Sequence, residues 1–311
     1  DVTGTTETIT LASGQTIKSL TSNENLTLST GGNLTYASPS TVAAGLTLSG
    51  GSLLGPGAMT VSGPITWNAG TISGGLVIAN GGITFATAGS RTLGSILTVN
   101  AASVLPTGLS LSTNGATING SATFSNQGAI NVSGGLSLAT GGTHSGTFIL
   151  SPSSSLAFSG GTQSITAAGS ISGSGTVVVG AGQVTNAGNI VTPGLQLNGG
   201  TLDGTGNLTV SASFNNGAGT LGSTFQSLDL TFGGNGIIPA SGYTAAGTLA
   251  LRAPAGTLTG TGPVTAPSVV LQAANGIGSV GVPVNTATPS LTVTTSAGGA
   301  EISDSTAGTL Q

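Results

Sequence analysis

Short apolar–polar–apolar triplets recur along almost the whole chain, and nearly every copy is followed by glycine, asparagine or serine. Alternation with a period of two residues is typical of a β-strand with one buried face. Strands this short, broken by tight turns, are what one coil of a β-solenoid needs. We expect the first and third residues of each triplet to point inward and the middle residue to face water. The clearest copies are Leu26-Thr27-Leu28, Leu34-Thr35-Tyr36, Leu46-Thr47-Leu48, Met59-Thr60-Val61, Ile65-Thr66-Trp67, Leu76-Val77-Ile78, Ile83-Thr84-Phe85, Leu97-Thr98-Val99, Leu109-Ser110-Leu111, Leu136-Ser137-Leu138, Leu156-Ala157-Phe158, Leu195-Gln196-Leu197, Leu208-Thr209-Val210 and Leu291-Thr292-Val293.

The spacing between triplets distinguishes a solenoid from a sandwich of hairpins. Between residues 59 and 78, successive strands begin five or six residues apart, whereas sandwich strands with their loops recur about every 8–12 residues. No stretch shows the apolar periodicity of a helix. The sequence therefore predicts an all-β fold, a parallel β-helix (β-solenoid) that forms a single elongated rod. We expect it to be right-handed, because the strict hexapeptide rhythm of the left-handed form is missing.

A Gly-Leu-x-Leu motif suggests the size of one coil. It begins at Gly45, Gly108, Gly135 and Gly194, with a relative at Gly75, so successive spacings are 30, 33, 27 and 59 residues. At about 20–30 residues per coil the chain would form about 10–15 coils, and strands about 4.8 Å apart would give a rod about 50–75 Å long. Asn-Gly pairs such as Asn119-Gly120 supply the positive φ that corners between strands require.

The distribution of proline indicates a boundary between two solenoid segments near residue 246. Five of the 12 prolines follow that point, and we expect them at corners and loops because proline cannot donate a hydrogen bond to a strand ladder. We therefore predict a solenoid of loose short-strand repeats over residues 1–245, continuous with a proline-richer solenoid over residues 246–311.

Charge is unusually scarce, with three basic and seven acidic residues among 311, against about a quarter charged residues in an ordinary globular protein. Stacked coils bring equivalent side chains to about 4.8 Å, where two like charges repel by roughly 0.9 kcal/mol even in water. Ser, Thr and Asn are polar without this cost and can form hydrogen bonds along a ladder. The composition therefore fits a stacked structure with an uncharged polar surface.

The same composition limits the partners and cofactors. With a net charge of -4, we expect neither nucleic acid nor anionic lipid as a partner, and no apolar stretch approaches the roughly 20 residues of a membrane span. The chain has no cysteine and one histidine, His144, whose glycine-rich surroundings predict a surface loop. It therefore offers no zinc or copper ligand set, and we expect no metal and no cofactor.

Parallel β-helices also carry polysaccharide-degrading enzymes, which need clustered carboxylates or acids combined with Ca²⁺ and a basic group. The acids here are scattered, and Glu301 and Asp304 are the closest two in sequence. We therefore expect solvated surface acids, no catalytic residues and no enzymatic activity. A carbohydrate-active enzyme stays an alternative, for which Asp203 and Asp229 are the residues to test.

Aromatic residues are few, and they supply the only candidate for a ligand-binding residue. Trp67 could stack on a sugar, which makes a glycan-binding protein a further alternative. Its place as third residue of a triplet also fits packing in the core, and the same interpretation applies to Tyr36. Tyr243 lies outside any clear strand.

The last segment carries a recognisable pattern. Gly247-Thr248-Leu249-Ala250-Leu251 is followed by Val269-Val270-Leu271-Gln272-Ala273-Ala274-Asn275-Gly276-Ile277-Gly278 and by Leu291-Thr292-Val293-Thr294-Thr295. Over residues 247–310 the chain resembles the repeats of filamentous-haemagglutinin-like exoproteins and autotransporter adhesins. The resemblance implies a right-handed β-helical rod, exported to a bacterial cell surface and used in adhesion or matrix building. No secretion-recognition domain of the two-partner type is recognisable at the start.

These observations together favour a non-enzymatic extracellular protein with a structural or adhesive role. A solenoid has two open ends with unpaired strand edges, which natural arrays cap with polar elements. No cap is obvious over residues 1–20 beyond Glu7 and Lys18, and the chain stops at Gln311 directly after an apolar strand. We therefore expect self-association end to end, or continuation into neighbouring repeats of a longer polypeptide. Glycans or proteins of a host or cell surface are the other partners to consider.

Overall fold

The computed structural model describes residues 7–306 and 309–310, and it divides the chain into two compact units, Asp1–Gln163 and Ser164–Gln311. All regular structure in the described residues is β-strand. Each unit is a parallel β-solenoid, and together the units contain about 15 coils. The predicted fold class is thereby confirmed, while handedness and the boundary near residue 246 stay predictions.

Each coil of the first unit contributes short strands to three faces, numbered here in the order in which the chain visits them. The first face contains β1 (Thr8–Leu11), β4 (Asn25–Ser29), the first parts of β7 (Leu46–Leu54) and β9 (Ile65–Ser73), β11 (Ile83–Thr84), β14 (Ser103–Leu105), β17 (Phe124–Asn126) and β20 (Gly142–His144). The second face contains β2 (Gln15–Ile17), β5 (Asn33–Tyr36), the second parts of β7 and β9, β12 (Arg91–Gly94), β15 (Ser110–Thr113), β18 (Ala129–Val132) and β21 (Thr147–Leu150). The third face contains β3 (Thr21–Ser22), β6 (Ser40–Val42), β8 (Met59–Val61), β10 (Val77–Ala79), β13 (Ile96–Val99), β16 (Ala116–Asn119), β19 (Gly135–Leu138) and β22 (Ser155–Phe158).

The second unit keeps one ladder throughout its length. After β23 (Thr162–Ile165), which contains the boundary, this ladder consists of β24 (Ser170–Gly173), the first parts of β27 (Asn189–Leu197) and β29 (Asn207–Asn216), β31 (Ser227–Thr231), β34 (Thr248–Ala253), β37 (Ser268–Ala273), β39 (Ser290–Thr295) and β41 (Thr309–Leu310). A second ladder joins β25 (Thr176–Val179) to the second parts of β27 and β29, and a third joins β26 (Gln183–Asn186), β28 (Thr201–Asp203) and β30 (Thr220–Leu221). Two separate sheets follow: β32 (Gly236–Ile238) with β35 (Leu258–Gly260), and β33 (Tyr243–Thr244) with β36 (Pro263–Thr265), β38 (Val284–Ala287) and β40 (Ile302–Asp304).

Coil length lies at the short end of the predicted range. Paired residues on neighbouring coils are 17 to 22 positions apart, from Thr8 with Asn25 to Val269 with Leu291. The spacing of the Gly-Leu-x-Leu motif is therefore not the coil repeat. The motif recurs on different faces: Gly45 precedes a first-face strand, whereas Gly135 begins a third-face strand.

The triplet pattern identifies most of the buried core. In Leu26-Thr27-Leu28 the two leucines are buried and the threonine between them is partly exposed, and most other triplets behave in the same way. The prediction is wrong for Leu76-Val77-Ile78, where Val77 and Ala79 point inward instead. A register shift of one residue exchanges the two faces of a strand, and the strand here begins one residue later than the triplet suggests.

Prolines occupy corners and loops with one exception among those after residue 246. Pro263 is the first residue of β36, and this corrects its expected position in a loop. The first position of a strand tolerates proline because the missing donor lies at the edge of the ladder. Across the predicted boundary the ladder continues, since Ser227 pairs with Thr248 and Thr248 pairs with Ser268.

Close stacking of corners makes particular glycines indispensable. Gly120 follows β16 with φ +126°, and a Cβ added there would lie 2.1 Å from the carbonyl oxygen of Val99 on the preceding coil. Gly108 also has a positive φ, +79°, but a Cβ there would meet no atom within 4 Å. The two positions share the left-handed backbone and differ only in how closely the neighbouring coil approaches.

We expect Gly120→Ala to destabilise the chain far more than Gly108→Ala. Both substitutions place alanine at positive φ, at a cost of about 1–2 kcal/mol, but only Gly120→Ala adds a steric clash, which costs about 1–3 kcal/mol more. Urea unfolding followed by far-ultraviolet circular dichroism would measure both midpoints. Equal losses would mean that the close approach of coils does not limit this corner.

Candidate functional site

A carbohydrate-active enzyme would require carboxylates such as Asp203 and Asp229. Asp203 accepts hydrogen bonds from the Gly204 amide (2.8 Å) and the Thr224 hydroxyl (2.9 Å). Asp229 forms an ion pair with Arg252, with Nε to Oδ1 at 2.9 Å. Both aspartates are therefore engaged in local contacts of the solenoid surface. Among the residues that the structure describes, no group of three or more His, Cys, Asp or Glu could hold a metal ion.

Other acids lie near the two ends of the described chain. Asp304 accepts a hydrogen bond from the backbone amide of Thr306, which is the largest influence lowering the pKa of its carboxyl group. Glu7 and Glu24 lie side by side on adjacent coils, because they directly precede the paired residues Thr8 and Asn25. No sequence motif predicted this juxtaposition. Asp1 lies outside the described residues.

Trp67, the candidate sugar-stacking residue, lies inside the first unit. Its side chain is 0 % exposed. The indole N–H donates to the Gly70 carbonyl oxygen at 3.3 Å, and the ring stacks on Phe85 with centroids 5.9 Å apart. Phe85 in turn contacts the edge of Phe124 at 6.5 Å. Both faces of the indole are covered by the protein, so Trp67 serves the packing of the core.

A buried arginine lies beside this aromatic column. Arg91 is 2 % exposed, and its guanidinium donates to the carbonyl oxygens of Trp67 (2.7 Å), Gly89 (2.9 Å), Ser110 (3.4 Å) and Thr87. No carboxylate takes part in these bonds. A planar guanidinium with five donors in a fixed fork can serve several carbonyl oxygens at once. Arg91 thus ties the corner that contains residues 87 and 89 to the coils on either side, a role that no sequence motif predicted.

We expect Arg91→Lys to lower the stability of the chain by on the order of 3 kcal/mol, because hydrogen bonds to a charged donor contribute strongly and an ammonium group cannot reproduce the fork. Arg252→Lys is the matched control, since a pair at an exposed surface contributes about 0–1 kcal/mol. Thermal unfolding of the two variants would compare them. Similar melting temperatures would contradict the assigned role of Arg91.

His144 is buried, and its predicted position in a surface loop is therefore wrong. It ends β20 with 0 % exposure. The Asn126 backbone amide donates to Nδ1 at 3.3 Å, so Nε2 carries the proton and donates to the Gln163 side-chain oxygen at 2.7 Å. The ring also contacts the Phe148 ring edge-on at 5.1 Å. Burial, the larger influence, lowers the pKa of His144, while the bond to Gln163 opposes this shift.

The neutral form of His144 predicts a pH-dependent stability. Below about pH 6.5 the histidine of the unfolded chain binds a proton, whereas the folded chain resists protonation until its lower pKa is reached. The unfolded state then holds more protons, so stability decreases as the pH falls through this range. His144→Gln, which keeps one acceptor and one donor, should lose this dependence between pH 7.5 and 5.5. Urea unfolding of both proteins at several pH values measures it, and parallel losses would refute the assignment.

The remaining candidate is a concave site in the second unit, which we call the notch. It has a volume of about 140 Å³ and is lined by Phe214, Asn215, Asn216, Phe232, Asn235, Ile237 and Tyr243. Tyr243 begins β33 and is buried, which corrects its expected position outside a strand. Phe214 lies against Phe232 and Tyr243 with ring centroids at 5.7 Å and 6.2 Å, both edge-on. None of the described residues that line the notch is charged.

The notch forms where two ladders of the second unit are interrupted. Residues 213–216 of β29 pair with β27 on one side, whereas β31 pairs only with residues 207–210. The next coil passes this position as the glycine-rich loop at residues 233–235, and its strand β32 pairs forward with β35. The sequence signal was the run Gly233-Gly234-Asn235-Gly236, which interrupts the triplets, but it did not show which residues would meet there.

Comparison with protein-family models, with curated proteins and with solved structures gives no match. In the part of the chain that the structure describes, no helix has the length and hydrophobicity needed to cross a membrane.

Proposed function

We propose that this chain is a non-enzymatic extracellular protein with a structural or adhesive role, exported and displayed as a β-helical rod at a bacterial surface. The observation that carries the proposal is the parallel ladder of short coils that builds each unit. Such a framework presents an extended surface built from repeated coils, which is how solenoid proteins bind their partners. The resemblance of residues 247–310 to filamentous-haemagglutinin-like repeats supports the same role.

The outer surface supports contact with uncharged partners. Along the first face, the middle residues of five successive strands stack in register as one outward rank of threonines. These are Thr10, Thr27, Thr47, Thr66 and Thr84. Threonine offers a hydroxyl group and a methyl group without charge, so this rank can contact polar surfaces with little dependence on salt.

A test of the role compares adhesion with catalysis on the same preparation. Beads coated with the folded chain should be retained under flow on cells or extracellular matrix more strongly than beads coated with the heat-unfolded chain. The same protein should release no product from polygalacturonate, alginate or peptidoglycan. Product release that is lost in Asp203→Asn or Asp229→Asn would overturn the proposal in favour of the enzymatic alternative.

Self-association is part of the proposal, and the first described coil supports it. Ile9, Leu11, Ile17 and Leu20 contribute to an apolar cavity of about 270 Å³ on this coil. In the described chain, β1, β2 and β3 pair on one side only, with β4, β5 and β6. Unpaired strand edges beside apolar surface are templates for another strand, and we propose a second copy of this chain as the occupant.

We expect Ile9→Lys to weaken self-association by at least tenfold, because a charge at this edge must be desolvated when another coil stacks on it. Ile9 is 45 % exposed, so we expect the variant to fold, and an unchanged circular dichroism spectrum would verify this. Val280→Lys, at a position 92 % exposed in the second unit, is the control. Sedimentation over a range of concentrations measures the association. A wild-type chain that is monomeric throughout, or equal effects of both substitutions, would eliminate stacking at this coil.

A further inference from the structure

The notch combines a buried apolar floor with polar groups whose hydrogen-bonding capacity is only partly used. Phe214, Phe232 and Tyr243 form the floor and are only 4–6 % exposed. The Tyr243 hydroxyl makes one long contact, 3.5 Å to the Ile237 carbonyl oxygen, which is at the limit of a hydrogen bond. A buried hydroxyl pays a desolvation cost when it is poorly bonded. This group therefore points to an occupant that completes its hydrogen bonding.

Three asparagines line the notch. Asn216 lies on the same side of β29 as Phe214, whereas Asn215 lies on the other side, because successive residues of a strand alternate. Asn215 and Asn216 are exposed and form no side-chain hydrogen bond within the described chain. The Asn235 side-chain oxygen accepts bonds from the Thr257 amide (3.0 Å) and hydroxyl (3.3 Å), which leaves its NH₂ group free to donate. Each amide offers donors and an acceptor at fixed separation. Adjacent hydroxyl groups of a sugar need this combination of donors and acceptors.

The charge and size of the notch narrow the ligand further. Its lining residues are all uncharged, so an ionised ligand would lose its hydration without gaining an ion pair. Its volume of about 140 Å³ is below the roughly 300 Å³ at which sites for drug-sized molecules begin. A single ring-sized group suits this volume, whereas a long polymer would have to enter by one end or by a side branch.

We propose that the notch binds one uncharged sugar residue, such as the terminal hexose or N-acetylhexosamine of a glycan. The ring lies with its apolar C–H edge against Phe214 and Phe232 and with its hydroxyl groups toward Asn216, the Asn235 NH₂ group and the Tyr243 hydroxyl. This inference rests on the proposed adhesive function in one respect: the sugar is the class of ligand through which the chain would adhere. It replaces Trp67 as the aromatic part of a sugar site.

Saturation-transfer NMR with the full chain tests the proposal directly. The probes are glucose, galactose, mannose and the two N-acetylhexosamines glucosamine and galactosamine, each alone, with galacturonic acid and N-acetylneuraminic acid as charged counterparts. At least one uncharged probe should bind and the charged ones should not. An absence of signal from every uncharged probe, or a preference for the acids, would overturn the inference.

Substitutions locate the bound sugar. Tyr243→Phe removes one hydrogen bond and keeps the ring, so it should weaken binding about threefold to tenfold. Tyr36→Phe is the matched control, since the Tyr36 hydroxyl is likewise buried and has no partner among the described residues but lies in the first unit. The double variant Asn215→Ala, Asn216→Ala should abolish binding, whereas Asn131→Ala should not. Unchanged affinity in Tyr243→Phe and in the double variant would place the sugar elsewhere and refute the site.

The bead assay distinguishes failure of the sugar site from failure of the proposed adhesive function. Beads that adhere while no uncharged sugar binds in solution would refute the notch as a sugar site and leave the adhesive function standing. Sugar binding at the notch without adhesion would support the site and refute the adhesive role. Adhesion that the double variant abolishes would support both, provided that its circular dichroism spectrum and melting temperature match the wild type.

Discussion

The backbone hydrogen bonds between neighbouring coils are the interaction on which the rest of each unit depends. Parallel strands about 4.8 Å apart place the same position of successive coils in direct contact. The equivalent residue one coil away therefore limits the size and charge of the side chain that each position tolerates. This explains why Gly120 cannot gain a Cβ beneath Val99. It also explains why charge is tolerated best as an opposite pair on neighbouring coils, as with Asp229 and Arg252.

The ladder pairs the backbone N–H and C=O groups of the strands but not those of the corners. This difference explains several of the buried polar side chains. A corner that departs from the ladder leaves carbonyl oxygens without a backbone donor, and a buried carbonyl must find one elsewhere. Arg91 supplies donors to Thr87 and Gly89 in such a corner. Gln163 does the same inside the first unit, where its side-chain amide donates to the Thr140 carbonyl oxygen. His144 serves a backbone donor instead, because its Nδ1 accepts from the Asn126 backbone amide. These buried polar side chains therefore replace missing ladder bonds.

The sequence predicts the features that depend on alternation within one strand. It does not predict the features that depend on contacts with another coil. Period-two triplets identify the strands, the buried leucines and the parallel solenoid, because these follow from which side of a strand a residue occupies. Coil length was overestimated, since a motif on one face looks identical to the same motif on another. His144 was misplaced because its burial comes from the pairing with Asn126, 18 positions earlier. Tyr243 and the notch require three segments that only the interrupted ladder brings together.

The interruption matters because a repeating surface cannot by itself be selective. A ligand on the threonine rank meets the same side chain at Thr27, Thr47 and Thr66, and it can shift by one coil at no cost in contacts. Such a surface supports many weak and interchangeable contacts, which add through multivalency. Selectivity requires side chains that occur once in a fixed arrangement. In the second unit the notch provides one, because the loop at residues 233–235 passes the edge of β29 without pairing and leaves unlike groups facing each other. The break in the ladder is thus the physical reason why a uniform scaffold can hold one specific ligand.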